Sequence, residues 1–462
     1  MNIDTEKNHT DKYVSQFVKE EKNYTKKELC DIFLLDEKAF DLFSETLLKN
    51  GVLRNALNKR TNEYKFTYVG IIIYSNLIIK VYPKYMTLHP TENNKYDMKF
   101  RQILNVIEKY KYDSKGTYYL FDDEEYGNEG YLGLLIYLLD DYFENGIYKN
   151  EKSIIEINGS GEVDWNKTVN NNNAIIQNNI PYYFELYTNN RTINDHDYFT
   201  RLHQCIITQC SKEIKNYGLE ELLGIATAEI SDEELYDLGD ADYIIYMIEN
   251  ESNMQFNTRK HELLDLMKRY IEHHFSNMSG CYLDLYGTRN FHSVWEAVCS
   301  KAFKNQLYVP INQLKLPVPL NEDFAGYKNL ISIIEKPRWG NILSEQTLRP
   351  DVVSFISDDN GMKFVILDAK YYVPIIKDHS ISYQPGVEDV TKQYLYNLAF
   401  KDFIKTHQFI KTENCFLMPV DENMMYPELE VHMEILEKLG LCAIKVYWIP
   451  AQKIFDIYLK DI

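Results

Sequence analysis

The apolar and polar positions near the N-terminus predict two short helices followed by two strands. Apolar side chains recur at helical spacing in TKKELCDIFLLDEKAFDLFSETLLKNGVLR, and Gly51 ends the second helix. Two apolar runs about Ser75-Asn76 then predict a strand pair in FTYVGIIIYSNLIIKVYPKY. Helix, helix, strand, strand is the order of a winged helix, and other small α+β units share that order.

The middle of the chain is mainly helical in pattern until about residue 285. The stretch EGYLGLLIYLLDDYFENG predicts an amphipathic helix that ends at Gly146. After residue 285 one helix is followed by strands. These changes predict a multidomain α+β and α/β chain with four parts: a helical, winged-helix-like start at 1–60, an α+β region at 61–180, a mainly helical region at 181–284 and a mixed domain at 285–462.

Composition limits the kinds of partner that the chain can bind. It has 462 residues, 45% of them apolar and 26% charged, which is typical of folded globular proteins. Its net charge is −19. Because an acidic protein repels nucleic acid, action on DNA would need a local basic groove, a metal ion or a partner that holds the DNA.

Cysteine spacing and hydropathy predict a cytoplasmic protein with no membrane partner. The seven cysteines form no CxxC pair, which predicts reduced thiols, with Cys205 and Cys210 as an alternative pair of metal ligands. The N-terminus has no signal-peptide pattern, and no apolar run is long enough to span a membrane. The stretch GEVDWNKT nearly matches a phosphate-binding loop, but Asn166 replaces its second glycine. We therefore expect no nucleotide site in this chain.

A predicted hairpin near the C-terminus carries the candidate chemistry. In LRPDVVSFISDDNGMKFVILDAKYY, Asn360-Gly361 is a strong turn signal, and a two-residue loop there places Asp351 opposite Lys370. Asp368 then lies opposite Val353. Since side chains alternate along a strand, Asp351, Asp368 and Lys370 project from one face. Apolar residues on both faces predict that the hairpin is central in its sheet.

Two aspartates and a lysine on one face suit metal-assisted hydrolysis of a phosphodiester. Mg²⁺ prefers oxygen ligands, which Asp351, Asp368 and the backbone carbonyl of Ala369 could supply. Lys370 could polarise the attacking water or offset negative charge on the phosphate. The alternative is a structural ion pair of Asp351 with Lys370.

The helices on either side of the hairpin add two candidate residues. In RNFHSVWEAVCSKAF, Glu296 lies at the edge of the apolar seam, where it could reach a metal ion; the alternative is a solvated helix glutamate. After Pro385-Gly386, a helix is predicted with Lys392 and Gln393 in its first turns. They could meet a phosphate or the attacking water, or form a surface pair.

Several patches resemble one nuclease family. RPDVV, VILDAKYY and PGVEDVTKQYLY are similar to the LlaJI-type restriction endonucleases, which are related to McrC nuclease subunits. FTYVGIIIYSNLIIKVYPKY and GSGEVDWNKTV resemble N-terminal stretches of McrC-like proteins, and the patches occur in family order from about 66 to 400.

The resemblance implies a fold, a site and a partner. It implies a C-terminal PD-(D/E)xK restriction-endonuclease-like domain behind a partner-binding N-terminal region, with Mg²⁺, or Mn²⁺ in its place, as the metal. Asp351 and Asp368 resemble the metal ligands, Lys370 the catalytic lysine, and Glu296 and Gln393 the helix acid and helix glutamine. The implied partner is a McrB-like AAA+ NTPase, a GTPase or ATPase, in a hetero-oligomeric complex that acts on DNA.

The sequence therefore predicts a Mg²⁺-dependent DNA endonuclease subunit of an NTP-dependent restriction or anti-phage defence system. Two alternatives stay open at this point. One is a non-catalytic subunit that stimulates a partner NTPase, and the other is a standalone nuclease that acts on another nucleic acid.

Overall fold

The computed structural model describes residues 13–56, 63–88, 93–115, 130–193, 197–276, 283–377, 380–422, 424 and 426–460. The chain forms two compact units. The first contains residues 1–13 and 127–284, and the second contains residues 14–126 and 285–462. The second unit thus combines an N-terminal part of the chain with its C-terminal part. The four-part division expected from the sequence stays a prediction.

Helices and strands occur throughout the described residues, which confirms the predicted mixed α/β composition. The elements before residue 150 are β1 (Val14–Lys19), β2 (Tyr24–Thr25), α1 (Lys26–Phe33), α2 (Glu37–Lys49), β3 (Leu53–Asn55), β4 (Glu63–Phe66), β5 (Val69–Tyr74), β6 (Leu77–Tyr82), α3 (Asn93–Lys115) and α4 (Tyr131–Asn145). Those between 150 and 302 are β7 (Glu151–Ile157), β8 (Glu162–Val163), α5 (Trp165–Asn171), β9 (Ile175–Gln177), β10 (Ile180–Tyr182), β11 (Tyr187–Ile193), α6 (Tyr198–Tyr217), α7 (Glu220–Leu223), α8 (Leu235–Leu238), α9 (Ala241–Met254), α10 (Thr258–Ser276), β12 (Leu283–Thr288) and α11 (Phe291–Ala302).

The remaining elements belong to the C-terminal part of the second unit. They are β13 (Arg338–Trp339), β14 (Ile342–Leu343), β15 (Val352–Asp358), β16 (Gly361–Ala369), β17 (Ile375–Lys377), β18 (Ser380–Ser382), α12 (Val387–Thr406), β19 (Lys411–Val420), β20 (Leu429–Val431), α13 (Glu434–Glu437), β21 (Ile444–Pro450) and α14 (Ala451–Lys460). Three short 3₁₀ helices lie between α11 and β13, at Ile311–Gln313, Glu322–Phe324 and Leu330–Ile333.

The two N-terminal helices begin at strong caps and pack on a small sheet of their own. Thr25 and Glu28 form a capping box at α1, and Asp36 accepts a hydrogen bond from the N–H of Ala39 at the start of α2. Each such cap contributes about 1 kcal/mol. Strands β2, β4 and β3, in that order, form the sheet beside these helices. Along the chain this unit has the order strand, helix, helix, strand, strand, which is also the order of a helix-turn-helix with a wing.

The hairpin about Ser75-Asn76 is present, but it is not the strand pair of this winged unit. Its strands β5 and β6 pair Tyr74 with Leu77 and belong to a separate four-stranded sheet, in the order β1-β6-β5-β12. All of β5 and nearly all of β6 are buried. A hairpin that is apolar at almost every position favours a sheet interior over an exposed wing.

The first unit is helical with a small β module. Helix α4 ends at Gly146, as predicted, and the amide N–H groups of Tyr131 and Leu132 at its start donate to the buried carboxylate of Asp284. The β module consists of the three-stranded sheet β7-β11-β8, helix α5 and the two-stranded hairpin β9-β10. At α5 the Asp164 carboxylate accepts the N–H of Lys167. An acidic side chain thus lies where a phosphate-binding loop would present free amides.

A five-stranded mixed sheet organises the C-terminal part, in the order β15-β16-β19-β21-β20. The hairpin β15-β16 is antiparallel, whereas β16 with β19 and β19 with β21 are parallel. Helix α12 packs on β16 and β19, and one core cluster joins Val353, Phe364 and Ile366 to Phe400 and Phe403. The predicted order of helix, hairpin, helix and strand is present in α11, β15-β16, α12 and β19.

The hairpin is not central in this sheet, contrary to the sequence prediction. β15 is the outermost strand in the order, and only β16 lies inside it. The segment after α11 covers the start of β15, since the N–H of Gln306 donates to the carbonyl of Val353 at 2.7 Å. Apolar residues on both faces of β15 therefore reflect packing by loops and helices. The apolar pattern of a strand shows that its faces are covered, but it does not show whether a strand lies on each side of it.

The N-terminal and C-terminal parts of the second unit are tied together by polar and packing contacts. Helix α3 packs against α14 and α11. Along α3, Lys99 pairs with Asp421, Gln102 donates to Asp456 at 2.6 Å, and Lys109 donates to the carbonyl of Tyr458 at 2.8 Å.

Two glycines allow β5 and β12 to approach closely. A Cβ at Gly287 would lie 2.2 Å from the carbonyl oxygen of Val69, and one at Gly70 would lie 2.3 Å from that of Tyr286. Only glycine fits such an approach. Since β12 leads directly into α11, this contact helps to fix where α11 begins.

Cysteine chemistry and hydropathy give two further results. The described cysteines, Cys30, Cys205, Cys210, Cys299, Cys415 and Cys442, are free, and Cys281 lies outside the described residues. Burial raises the pKa of Cys205 to about 12 and that of Cys210 well above its usual range, so neither thiol favours the thiolate form that binds metal. Among the described residues, none of the helices has the length and apolar character needed to cross a membrane.

Candidate active site at the end of the C-terminal hairpin

The two strands of the hairpin pair in a register that differs by two residues from the predicted one. Its loop is Asp359-Asn360, so Asp358 pairs with Gly361 and Val352 with Leu367. Continued by one residue, this register sets Asp351 opposite Asp368, where the sequence prediction had set Lys370. Side chains alternate along a strand with a period of two, so a difference of two residues leaves Asp351, Asp368 and Lys370 on the predicted face.

Gly361 explains the difference in register. It has a φ of +132°, and a Cβ there would lie 2.8 Å from the side chain of Ile410. The glycine is therefore needed at the first paired position beside β19, and the turn forms one residue earlier. Asp358 closes the turn by accepting the N–H of Asn360 at 2.9 Å.

Asp351 and Asp368 form a carboxyl pair at the buried end of the hairpin. Asp351 accepts the backbone N–H of Ala369 at 2.7 Å, and Asp368 is only 4% exposed. Burial, and next the charge of Asp368, raise the pKa of Asp351 well above its usual range. Two carboxyls that share a buried site resist ionising together unless a cation lies between them.

Lys370 is held by two carboxylates, one of which the sequence did not reveal. Its ammonium lies 2.8 Å from Asp368 and 3.0 Å from Asp389. Burial lowers the pKa of Lys370, but the charges of Asp368 and Asp389 outweigh burial and raise it. The lysine therefore stays protonated. The predicted alternative of an Asp351–Lys370 ion pair is wrong in its partner, since Lys370 pairs with Asp368.

Asp389 reaches Lys370 because it sits in the first turn of α12. Its other carboxylate oxygen accepts the N–H of Gly386 at 3.3 Å and caps the helix. An acidic residue three positions into a helix is the usual capping pattern. That pattern was visible in PGVED, but the proximity of the helix start to Lys370 depends on the fold.

Glu296 lies beside the carboxyl pair on α11. The helix is anchored by Trp295, whose indole N–H donates to the carbonyl of Leu417 on β19 at 3.1 Å. Burial raises the pKa of Glu296; His292 and Lys370 act in the opposite direction. Asp368 and Lys370 both affect Glu296 electrostatically, so the predicted residues Asp351, Asp368, Lys370 and Glu296 come together.

Gln393 forms hydrogen bonds with the sheet. Its side chain is fully buried, and its amide donates to the carbonyls of Ile366 on β16 at 3.3 Å and of Cys415 on β19 at 3.2 Å. This position ties α12 to two strands of the sheet. Lys392, its neighbour, is exposed. The contact of Gln393 with a phosphate stays a prediction that its hydrogen bonds do not support.

Asn305 is a supporting residue that the sequence did not indicate. Its side-chain amide donates to the carbonyl of Asp351 at 2.7 Å and accepts the N–H of Val353 at 3.0 Å. These bonds hold the backbone on both sides of the first residue of β15. No local pattern marks Asn305, because its partners lie 46 and 48 positions further along the chain.

The site contains four carboxyls and one lysine, so negative charge is in excess, and it lies next to a cleft. Asp368 and Asp389 form ion pairs with the ammonium of Lys370, and Asp351 and Glu296 add two further carboxyls that interact electrostatically with Asp368. Ala369, Lys370 and Glu296 line a cleft of about 1070 Å³. Within the described part of the chain, no three His, Cys, Asp or Glu side chains form a ready-made metal cage. Two carboxylates with room for water suit Mg²⁺, which keeps several waters, better than Zn²⁺, which takes a full set of protein ligands.

Comparisons with known proteins identify the family of the chain. The family model for LlaJI restriction endonuclease matches residues 68–446. A curated relative, the type II restriction enzyme BsuMI component YdjA of Bacillus subtilis (strain 168), is 28% identical over 409 residues, which is 86% of this chain and 81% of the relative.

Among solved structures, one match is a chain of the half-complex of Thermococcus gammatolerans McrB AAA+ hexamers with bound McrC. It is 12% identical, with a TM-score of 0.41, over 97% of this chain and 100% of that one. A TM-score this low establishes no shared fold. The family match covers most of the chain, and its span includes Glu296, Asp351, Asp368 and Lys370. The protein therefore belongs to the LlaJI restriction endonuclease family.

Proposed function

We propose that this chain is the Mg²⁺-dependent DNA endonuclease subunit of an NTP-dependent restriction system and that Asp351, Asp368 and Lys370 carry the reaction. The observation that supports the proposal is the buried carboxyl pair itself. Asp351 and Asp368 face each other at the end of an apolar hairpin, where a structural role would favour a matched cation for each. Their excess negative charge is what a cation-binding site needs.

In this proposal Asp351, Asp368 and the carbonyl of Ala369 would hold the metal ion. When bound, Mg²⁺ would supply positive charge that polarises the phosphate and favours ionisation of water. Asp351 is oriented for this by the N–H of Ala369 and by Asn305 on its backbone. The raised pKa of Asp351 would fall again on cation binding, because the repulsion from Asp368 would be neutralised.

Lys370 acts in this scheme as a fixed positive charge. Because its pKa is raised, its ammonium keeps its protons at neutral pH and cannot act as a general base. It can donate a hydrogen bond to the attacking water or to a phosphate oxygen that gains negative charge. Asp368 and Asp389 restrain the ammonium from two sides, which limits its motion during the reaction.

Glu296 lines the cleft and is the candidate for handling a proton. It is half-buried, and burial raises its pKa, which strengthens its ability to accept a proton. Placed at the mouth of the carboxyl pair, it can orient a water molecule that approaches the phosphate.

The need for a partner is supported by charge and by exposed apolar surface. The net charge of −19 opposes tight binding of DNA by the chain alone. In the first unit every residue of β9 and β10 is exposed, and Trp165, Ile176 and Phe184 are at least 59% exposed. Apolar patches of this kind mark protein interaction sites. The partner proposed from the family resemblance is a McrB-like AAA+ NTPase.

A plasmid cleavage assay tests the proposal. The wild type and Asp368→Asn would be incubated with Mg²⁺, alone and with the AAA+ partner plus GTP or ATP. Asp358→Asn is the matched control, because it makes the same change at the exposed turn end of the same hairpin. We expect cleavage by the wild type and the control only with partner and nucleotide, and none by Asp368→Asn.

Other outcomes would contradict parts of the proposal. Cleavage by the chain alone would point to a standalone nuclease. Stimulated NTP hydrolysis without cleavage by any variant would point to a non-catalytic subunit. Equal cleavage by Asp368→Asn and the wild type would remove the carboxyl pair from the reaction.

A further inference from the structure

The cleft beside Lys370 is lined by the N-terminal part of the second unit as well as by the candidate nuclease site. Lys19, at the end of β1, and Lys22, in the turn that follows, lie on one wall. Lys84 follows β6, and Arg289 precedes α11. With Lys370, five cationic side chains from four separate segments line the same cleft. Positive charge is thus concentrated here in a chain whose net charge is −19.

The acidic residues in the cleft cancel only part of this charge. Glu20 is 7% exposed and accepts the hydroxyl of Tyr371 and the backbone N–H of Lys84. Burial raises the pKa of Glu20 to about 7, so it is only partly ionised at neutral pH. Glu21 is paired with Arg54. Glu296 also lines the cleft, and Lys370 is already paired with Asp368 and Asp389. Four cationic side chains, Lys19, Lys22, Lys84 and Arg289, therefore remain against the carboxyls of Glu20 and Glu296.

The hydrogen bond between Glu20 and Tyr371 also fixes the distance between the two walls. Tyr371 is adjacent to Lys370, and the ammonium of Lys84 lies 4.2 Å from the centre of its ring. The end of β1 is thereby attached to the residue that follows Lys370. Lys19, Lys22 and Lys370 therefore line one cleft whose opposite segments are joined by this bond.

From these observations we infer that the cleft binds the phosphodiester backbone of the DNA strand that enters the nuclease site, with Lys22 and Lys19 as phosphate contacts outside the reacting group. The inference rests on the proposed function and extends it to residues of the N-terminal part. Lysines contact phosphates as point charges without reading sequence. Lys22 is exposed, which allows a direct contact.

The aromatic side chains in the cleft bear on whether it binds DNA as a single strand or as a duplex. Tyr372 and Tyr383 line it, and Tyr383 is 62% exposed with a φ of +58°. Exposed tyrosines beside lysines bind bases by stacking when a strand is single, whereas in a duplex only the phosphates would be accessible to the lysines. Both presentations share the phosphate contacts, and the test below distinguishes them.

The test measures DNA binding in the cleavage-inactive Asp368→Asn background by fluorescence anisotropy. Single-stranded and duplex oligonucleotides would each be titrated at several salt concentrations. Lys22→Glu is compared with Lys27→Glu. This control makes the same charge change five residues away, at an exposed position of α1 that does not line the cleft. We expect Lys22→Glu to weaken binding on the order of tenfold and to reduce the salt dependence by roughly one counterion, with Lys27→Glu near the parent.

Lys22→Gln serves as a second variant and thermal unfolding as a folding control. The Lys22 ammonium lies 4.8 Å from the ring centre of the buried Tyr24, and because Lys22 itself is exposed, we expect its replacement to leave the fold intact. Lys22→Gln should weaken binding in the same direction by a smaller factor. Tighter binding of the single strand, lost on Tyr383→Ala, would assign a single strand to the cleft. Tighter duplex binding, unaffected by Tyr383→Ala, would assign a duplex.

Failure of this inference is distinct from failure of the proposed function. Equal binding by Lys22→Glu and Lys27→Glu, or no binding of either oligonucleotide, would overturn the inference. The proposed function would still stand if the wild type cleaves plasmid with its partner. If the wild type never cleaves but Lys22→Glu selectively loses DNA binding, the proposed function fails and the binding cleft remains.

Discussion

Replacement of Asp351 by asparagine distinguishes a cation-binding site from a structural ion pair. In metal-free protein the Asp351 carboxyl is buried next to Asp368, and both burial and that neighbouring charge raise its pKa. The amide introduced by Asp351→Asn carries no charge, but its oxygen can still accept the N–H of Ala369. We therefore expect Asp351→Asn to raise the free energy of unfolding while it abolishes cleavage.

The sign and size of the effect follow from the proton affinity of Asp351. Because its pKa is higher in the folded chain than in the unfolded one, the folded state loses stability as pH rises from the ordinary aspartate range through the raised pKa. A tenfold change in proton affinity corresponds to about 1.4 kcal/mol. A second buried carboxyl raises the proton affinity of its neighbour by more than tenfold, so we expect a gain of about 2 kcal/mol at pH 8 and much less at about pH 4, close to the ordinary aspartate pKa.

Thermal unfolding in EDTA at both pH values measures the effect, with Asp358→Asn as control. A gain of about 2 kcal/mol should raise Tm by roughly 2–3 °C in a chain of this size. Adding Mg²⁺ should then stabilise the wild type and not Asp351→Asn, since only a bound ligand shifts the unfolding equilibrium. A drop in Tm for Asp351→Asn at pH 8 in EDTA would refute the reasoning and make the pair structural.

Three further substitutions test the surrounding framework. Lys370→Met should abolish cleavage and destabilise the chain by about 3 kcal/mol in urea unfolding, because it leaves Asp368 buried without its cation; unchanged stability would contradict the ion pairs described for Lys370. Gln393→Met should cost about 1–2 kcal/mol through two lost hydrogen bonds while folded protein keeps its cleavage rate; lost cleavage with normal stability would support the catalytic role expected from the family. Gly287→Ala should lower Tm by several degrees, since its Cβ would lie 2.2 Å from the Val69 carbonyl, whereas Gly326→Ala, which meets no atom within 4 Å, is the control.

Local chemistry in the sequence was sufficient to predict the main residues of the candidate site. Alternation along the strands placed Asp351, Asp368 and Lys370 on one face, and the apolar seam of α11 placed Glu296 at its edge. These inferences depend on periodicities of the backbone, which the chain carries in its own order. They survived a register difference of two residues because side-chain direction depends only on parity.

Other features required the tertiary structure because they join residues that are distant in sequence. The register was decided by the contact of Gly361 with Ile410 across the sheet. Asp389 became a partner of Lys370 through the docking of α12, and Gln393 turned inward to bridge two strands. No short-range pattern contains these contacts.

The sequence by itself was sufficient to predict the family, together with the two aspartates and the lysine of the candidate site. Each of these signals is contained in a short contiguous motif. The tertiary structure alone decided that β1 and the lysines after it line the cleft of that site, although Glu20 precedes the tyrosine that it meets by 351 positions. Strand pairing and helix docking bring such segments together through the burial of apolar surface, which has no direction and leaves no local signature in the chain.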